Sequence, residues 1–157
     1  MCNNNSNWDT SQLDHAGLTG ISPANTVTFI DSPDTDLSFP FIWNEILGYA
    51  YILTAEGYPC VYYKDYSTDS GCHGLKPAID KLIWIHENLA NGTTIARFKG
   101  FQAIVYEQGY PNLLVGFNND QYHGWRTLTV QTALGSTCSC TTTPGTPAMY
   151  GPTATAW

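Results

Sequence analysis

The stretch NTVTFIDSPDTD, residues 25–36, decides how the rest of the chain is read. Its first half is β-branched and bounded by turn residues, which predicts a buried strand ending at Asp31. Its second half places Asp31, Asp34 and Asp36 close together, with Pro33 between the first two. Carboxylates at the C-terminal end of a strand suit acid/base work on a sugar, or a cation site. Asp, Ser and Pro are equally the residues of a solvated turn. In an extended continuation Asp34 and Asp36 would share a face, with Asp31 on the other; a turn at Pro33 is the competing geometry.

Downstream, FIWNEILGYAYILTAEG (residues 41–57) has Ile42, Ile46, Leu47, Ala50 and Leu53 at helical spacing, with Gly57 as a stop. YPCVYY (residues 58–63) reads as a second short apolar strand. LKPAIDKLIWIHENLANG (residues 75–92) is an amphipathic helix with Ile79, Leu82, Ile83, His86 and Leu89 on one face. Pro77 suits its first turn and Asn91-Gly92 its end. Upstream, residues 1–25 are mostly loop, with a helical turn expected near Gln12–Leu18. After Gly92 the period changes from helical to alternating, and four strand-like runs separated by turn residues form an antiparallel meander. Strand–helix–strand–helix and then a meander imply an α+β chain: the end of an α/β unit over residues 1–91 and a small β unit over residues 92–136. Residues 137–157 show no strand alternation and are expected to be irregular.

Composition narrows the chemistry. Charged residues make up 12% of the 157 positions, about half the usual share. Aromatics reach 13%, with ten tyrosines and five tryptophans. A neutral, amide-rich, aromatic surface suits sugars better than phosphates. The net charge of −7 argues against nucleic acid or an anionic membrane as partner. No apolar run approaches membrane-spanning length, and MCNNNSNWDT lacks the basic start and apolar stretch of a signal peptide, which leaves localisation open. The five cysteines form no paired CxxC knuckles, Cys60 reads as a packed thiol, and no structural disulfide or zinc site is expected. His15, His73, His86 and His123 are scattered and form no ligand pair, so no metal site is expected from them.

The motifs VTFIDSPDTD, LGYAYILTAEGYPCVYYKDYSTD and LKPAIDKLIWIHENLANG together resemble the C-terminal part of an α-amylase of glycoside hydrolase family 13. In that family a strand ending in F-V-D-N-H-D-T is barrel strand seven. G-Y-P-C-V-F-Y-G-D-Y is strand eight, and L-K-x-x-I-D-x-L-I-x-I-R is the last barrel helix. An antiparallel domain C comes next. The resemblance covers about Asp14 to Leu134 and implies a two-strand, two-helix remnant of a β/α barrel joined to part of domain C. With one base restored before Thr137, a suitable codon set for the tail encodes a run containing L-H-D-Y-T-G, a domain C motif. The tail is therefore expected to be out of frame.

The resemblance also implies a retaining mechanism with an Asp nucleophile, a Glu acid/base and a third Asp that steadies the distorted sugar. Only the third Asp carries over, onto Asp34. The family's His and Asn before it are Pro33 and Ser32 here. The nucleophile and acid/base lie on strands that this chain does not contain. A substitute pair of Asp34 with Asp31 or Asp36 is one expectation; the other makes Asp31 and Asp36 strand-end caps and Asp34 a vestige. Trp43, Tyr62 and Tyr63, with Tyr122 and Trp125, are candidates to stack on sugar rings, against the simpler role of core or interface aromatics. No cofactor is expected. The family's calcium site is absent, although Asp14-His15 and the aspartate cluster offer ligands of opportunity. The expected activity is that of a truncated glycosidase acting weakly on α-glucans or small glycosides, the alternative being a non-catalytic α-glucan-binding remnant or an inert relic. The apolar faces of Ile42–Leu53 and Leu82–Leu89 are expected to stand open in a monomer, so a homodimer or larger self-association is expected.

Overall fold

The computed structural model describes residues 8–38, 44–109, 113–120, 122–133 and 137–151. The N-terminal segment forms 3-10 turns at Thr10–Leu13, Gly17–Gly20 and Pro23–Asn25. Then come β1 (Val27–Phe29), α1 (Pro33–Ser38), α2 (Glu45–Thr54), β2 (Tyr58–Cys60), α3 (Tyr63–Tyr66) and α4 (Lys76–Asn88). The remaining elements are strands: β3 (Thr94–Lys99), β4 (Ala103–Gln108), β5 (Leu113–Asn118), β6 (Arg126–Gln131), β7 (Thr137–Thr142) and β8 (Ala148–Tyr150). The architecture is α+β, with no closed barrel among the described residues. No described helix is long and apolar enough to cross a membrane.

Three sheets form. β1 and β2 pair in parallel, with Val27 opposite Tyr58 and Phe29 opposite Cys60. β3, β4, β5 and β8 make an antiparallel sheet in that order, and β6 pairs antiparallel with β7. β4 and β5 are buried along their whole length because both their faces are covered. On one face Ile104, Tyr106, Val115 and Phe117 join Leu47, Ala50 and Leu53 of α2 and Ile79, Leu82 and Ile85 of α4 in one core. On the other, Val105 and Leu114 meet Val130 of β6, with Leu128 and Cys138 packed against them. A Cβ on Gly116 would lie 2.5 Å from Cys140 Sγ, so the missing side chain is what lets β7 lie close against β5.

The structure corrects several expectations. The simple meander gives way to two sheets, since β8 rather than β6 pairs with β5. The tail is not irregular over residues 137–150. Its strand β7 does alternate, but the inward positions are Cys138, Cys140 and Thr142, too small and too weakly apolar to register as a buried face. The second strand stops at Cys60 instead of running to Tyr63, because the chain turns into α3. Cys60 is exposed, not packed. The faces of α2 and α4 expected to stand open are covered by each other and by β4 and β5. Among the exposed apolar residues, Val27, Phe29 and Tyr58 cluster on the parallel pair, and Trp84 of α4 is also exposed.

The loop after β5 is organised by Asp120, whose side chain is fully buried. Its carboxylate accepts hydrogen bonds from Arg126 (2.7 Å), from the His123 ring nitrogen Nδ1 (2.9 Å), and from the backbone N–H groups of Tyr122 and His123 (both 3.1 Å). Burial alone would raise its pKa; these donors outweigh burial and hold it lowered from 3.8 to about 2. A depressed carboxyl pKa contributes stability that is complete above the unfolded value and is lost as pH falls through the folded one. Asp120→Asn is therefore expected to be less stable at neutral pH and to show a flatter acid limb from about 3.8 down to about 2. Urea midpoints across that range check it, and parallel profiles for the two proteins would remove the assignment.

Candidate functional site

In a parallel pair both C-terminal ends point the same way, so the segments leaving β1 and β2 converge on one edge. After β1 come Asp31 and α1, which Pro33 opens with φ already suited to a first helical turn. After β2 come Tyr62 and α3. Lys64 of α3 joins the two by an ion pair, its Nζ 2.7 Å from Asp36 Oδ2.

The three aspartates do not stand as an extended strand would hold them. Asp34 and Asp36 lie in the first turn of α1, two positions and about 200° apart around the helix. Asp36 is buried and faces Lys64, whereas Asp34 is exposed. Asp31 is buried and braces the start of α1: its Oδ1 accepts hydrogen bonds from the Ser32 backbone N–H (2.8 Å) and from the Thr35 hydroxyl. Ser32 Oγ also accepts from the Thr35 N–H at 3.3 Å. Of the three, Asp34 is the exposed one.

The aromatic candidates separate too. Tyr63 is 68% exposed and its hydroxyl donates to Asp69 Oδ2 (3.2 Å). Tyr62 is half-buried, and its backbone N–H donates to the Tyr49 hydroxyl (3.3 Å). Trp43 lies outside the described residues. Tyr122 and Trp125, in the β5–β6 connection, are both largely exposed. The Asp14-His15 pair does not fit a cation: Asp14 Oδ2 lies 2.9 Å from the Lys99 ammonium, which already supplies the positive charge.

One cluster gave no signal in the sequence. Glu45 from the first turn of α2, Asp65 from α3 and His73 from the loop before α4 bring their side-chain donor atoms within 4.8 Å of one another. His73 Nδ1 is 3.0 Å from Asp65 Oδ1 and 3.4 Å from Glu45 Oε2. Burial, reinforced by the neighbouring Asp65 carboxylate and opposed by His73, pushes Glu45 up to about 7. Asp65 Oδ2 accepts the buried Tyr49 hydroxyl's hydrogen bond. The three residues are separated by up to 28 positions in sequence. Only the packing of α2 beside α3 brings them together, so no spacing rule could have found them.

No protein-family profile matches the chain. An alpha-amylase of Geobacillus stearothermophilus is 40% identical over 79 residues, which is 45% of this chain and 14% of that protein. A probable alpha-amylase 2 of Arabidopsis thaliana is 36% identical over 102 residues, 59% of this chain and 24% of that protein. The chain therefore spans less than a quarter of the length of these curated relatives. Among solved structures, a gamma-CGTase from alkalophilic Bacillus clarkii superposes with a TM-score of 0.60 over 85% of this chain and 27% of its own, at 19% identity, a likeness of fold. The matched segments make this chain similar in part to alpha-amylases, and its fold similar to part of a CGTase.

Proposed function

We propose that this chain acts weakly on α-glucans or small glycosides as an α-amylase-like glycoside hydrolase, with Asp34 as the carboxylate that meets the sugar. The observation that supports this reading is the shared strand end. The parallel pairing of β1 and β2 brings exposed Asp34 and exposed Tyr63 to the edge where β/α folds place their chemistry. A carboxylate there stabilises positive charge that develops on a sugar ring, and an open tyrosine offers a stacking face.

The activity is weak for a stated reason. Retaining hydrolysis needs two carboxyl groups roughly 5–5.5 Å apart, one attacking and one protonated. Asp31 is committed to Ser32 and Thr35 and Asp36 to Lys64, so neither is offered to Asp34 as a partner.

The test is turnover of soluble starch and a nitrophenyl glycoside panel by the purified protein and its Asp34→Asn variant. The variant is expected to lose about 10²-fold in rate, the scale of one removed electrostatic contact to a transition state. Equal rates in the two proteins would overturn the reading, because contaminating host glycosidases survive the substitution. Starch binding without turnover would favour a second reading, a non-catalytic glucan-binding chain, for which exposed Tyr122 and Trp125 supply the supporting observation.

A further inference from the structure

Glu45, Asp65 and His73 are more than a crowded corner. Asp65 is completely buried, and with Glu45 ionised its Oδ1 receives no hydrogen bond among the described residues, although His73 Nδ1 lies only 3.0 Å away. The ring nitrogen is near without being aligned to donate. On its other side the same nitrogen sits 3.4 Å from both oxygens of the Glu45 carboxylate. Three lone-pair-bearing groups therefore converge, and a buried carboxylate oxygen aims into the space between them. Leaving such an oxygen unsatisfied is costly.

The separations suit one small cation. Metal–ligand bonds of about 2.0–2.2 Å in a tetrahedral site set donor atoms roughly 3.2–3.6 Å apart. The observed 3.0 and 3.4 Å separations bracket the lower part of that range. One imidazole and two carboxylates favour a zinc-type ion; calcium takes six to eight oxygens and magnesium keeps its waters. The site is also held in advance. Backbone N–H groups of His73, Gly74 and Leu75 donate to the carbonyls of Lys64, Ser67 and Asp65, each at 2.9 Å, and lace the His73 loop onto α3. The Tyr49 hydroxyl fixes Asp65 through Oδ2 and leaves Oδ1 for the ion, the outer-shell arrangement that orients ligands in metal sites.

We propose that Glu45, Asp65 and His73 bind one divalent transition-metal ion of zinc type, with the fourth position open to solvent on the side where His73 is part-exposed. Such an ion would clasp the start of α2, α3 and the loop before α4 beside the strand end. This site is independent of Asp34 and stands whether or not the chain turns over glucans.

The experiment uses the whole chain stripped with chelator and titrated with Co²⁺ and then Zn²⁺, read by calorimetry and by the cobalt absorption spectrum. One ion per chain is expected, with a four-coordinate cobalt spectrum free of thiolate charge transfer. His73→Gln, at a part-exposed position that leaves the core intact, and Glu45→Gln are each expected to weaken binding at least about tenfold. Cys72→Ser, the neighbouring thiol, is expected to bind as the parent does. No saturable binding, a thiolate band, or His73→Gln and Glu45→Gln titrations that superpose on the parent's would each overturn the proposal.

Discussion

Phe117→Ala is expected to lower the unfolding free energy by about 3–5 kcal/mol, the usual cost of emptying a buried phenyl site. Phe117 is 1% exposed and sits where the sheet meets the helices. Its ring is 5.7 Å from Tyr106 and 6.4 Å from Tyr51, both edge-on, and those two tyrosines are 6.3 Å apart at 87°. Each tyrosine carries the contact outward. The Tyr106 hydroxyl is 2.6 Å from Thr54 Oγ1 on α2, and Tyr51 donates to the Leu13 carbonyl at 2.8 Å. Removing Phe117 takes away the surface against which both rings are set, and these anchored hydroxyls limit collapse into the cavity. Against a typical total stability of about 5–15 kcal/mol, the loss threatens folding itself. Urea unfolding of the variant beside Phe117→Leu is the measurement. The leucine substitution is expected to recover part of the loss, and a cost under about 1 kcal/mol for alanine would contradict this packing.

Arg97→Met is expected to cost a similar amount, about 3–5 kcal/mol, for an electrostatic reason. Glu107 is buried on β4, and its Oε2 accepts hydrogen bonds from Arg97 Nε (2.9 Å) and from the Ala133 N–H (2.9 Å), with Arg97 Nη2 2.7 Å away. Arg97 reaches it because the β3–β4 register shifts between Ala96 and Phe98, a bulge that re-aims the intervening side chain. Methionine keeps much of the volume but leaves a buried carboxylate with one backbone donor. The paired variant Arg97→Met with Glu107→Met removes both charges and is expected to be more stable than the single substitution, since a buried ion pair is weak in net and only its breaking is expensive. A double-mutant cycle in urea decides it. If the pair is no better than Arg97→Met alone, the cost came from lost packing and the electrostatic account fails.

Much of the local structure was readable because it rests on near-neighbour chemistry. The α4 face of Ile79 and Leu82, with Pro77 at its start, follows from helical period and turn preference alone. The parallel pair was legible as two short apolar segments flanking a helix, and the carboxylates at its end as a family motif. Legibility ended where a distant partner chose the outcome. Residues 33–38 have strand-like neighbours and turn-like composition; they become helix α1, with Asp31 bracing its start through Ser32 and Lys64 taking Asp36. The tail looked shapeless because Cys138 and Cys140 are poor markers of a buried face. They become one where Gly116 leaves room on β5 for Cys140 and Thr142.

The strands β1 and β2, the helices α2 and α4, the aromatic and weakly charged character of the chain, and Asp34 as the carboxylate that the resemblance marks were readable in the residues. Each depends on residue type and spacing over a few positions. Which carboxylates are spent on structure and which face a cation depended on packing. Asp36 goes to Lys64, Glu107 to Arg97 and Asp120 to Arg126, while Glu45 and Asp65 are brought to His73. A charge finds its partner across space, and when α2, α3 and the antiparallel sheets pack, burial decides whether that partner is worth a few tenths of a kcal/mol or several.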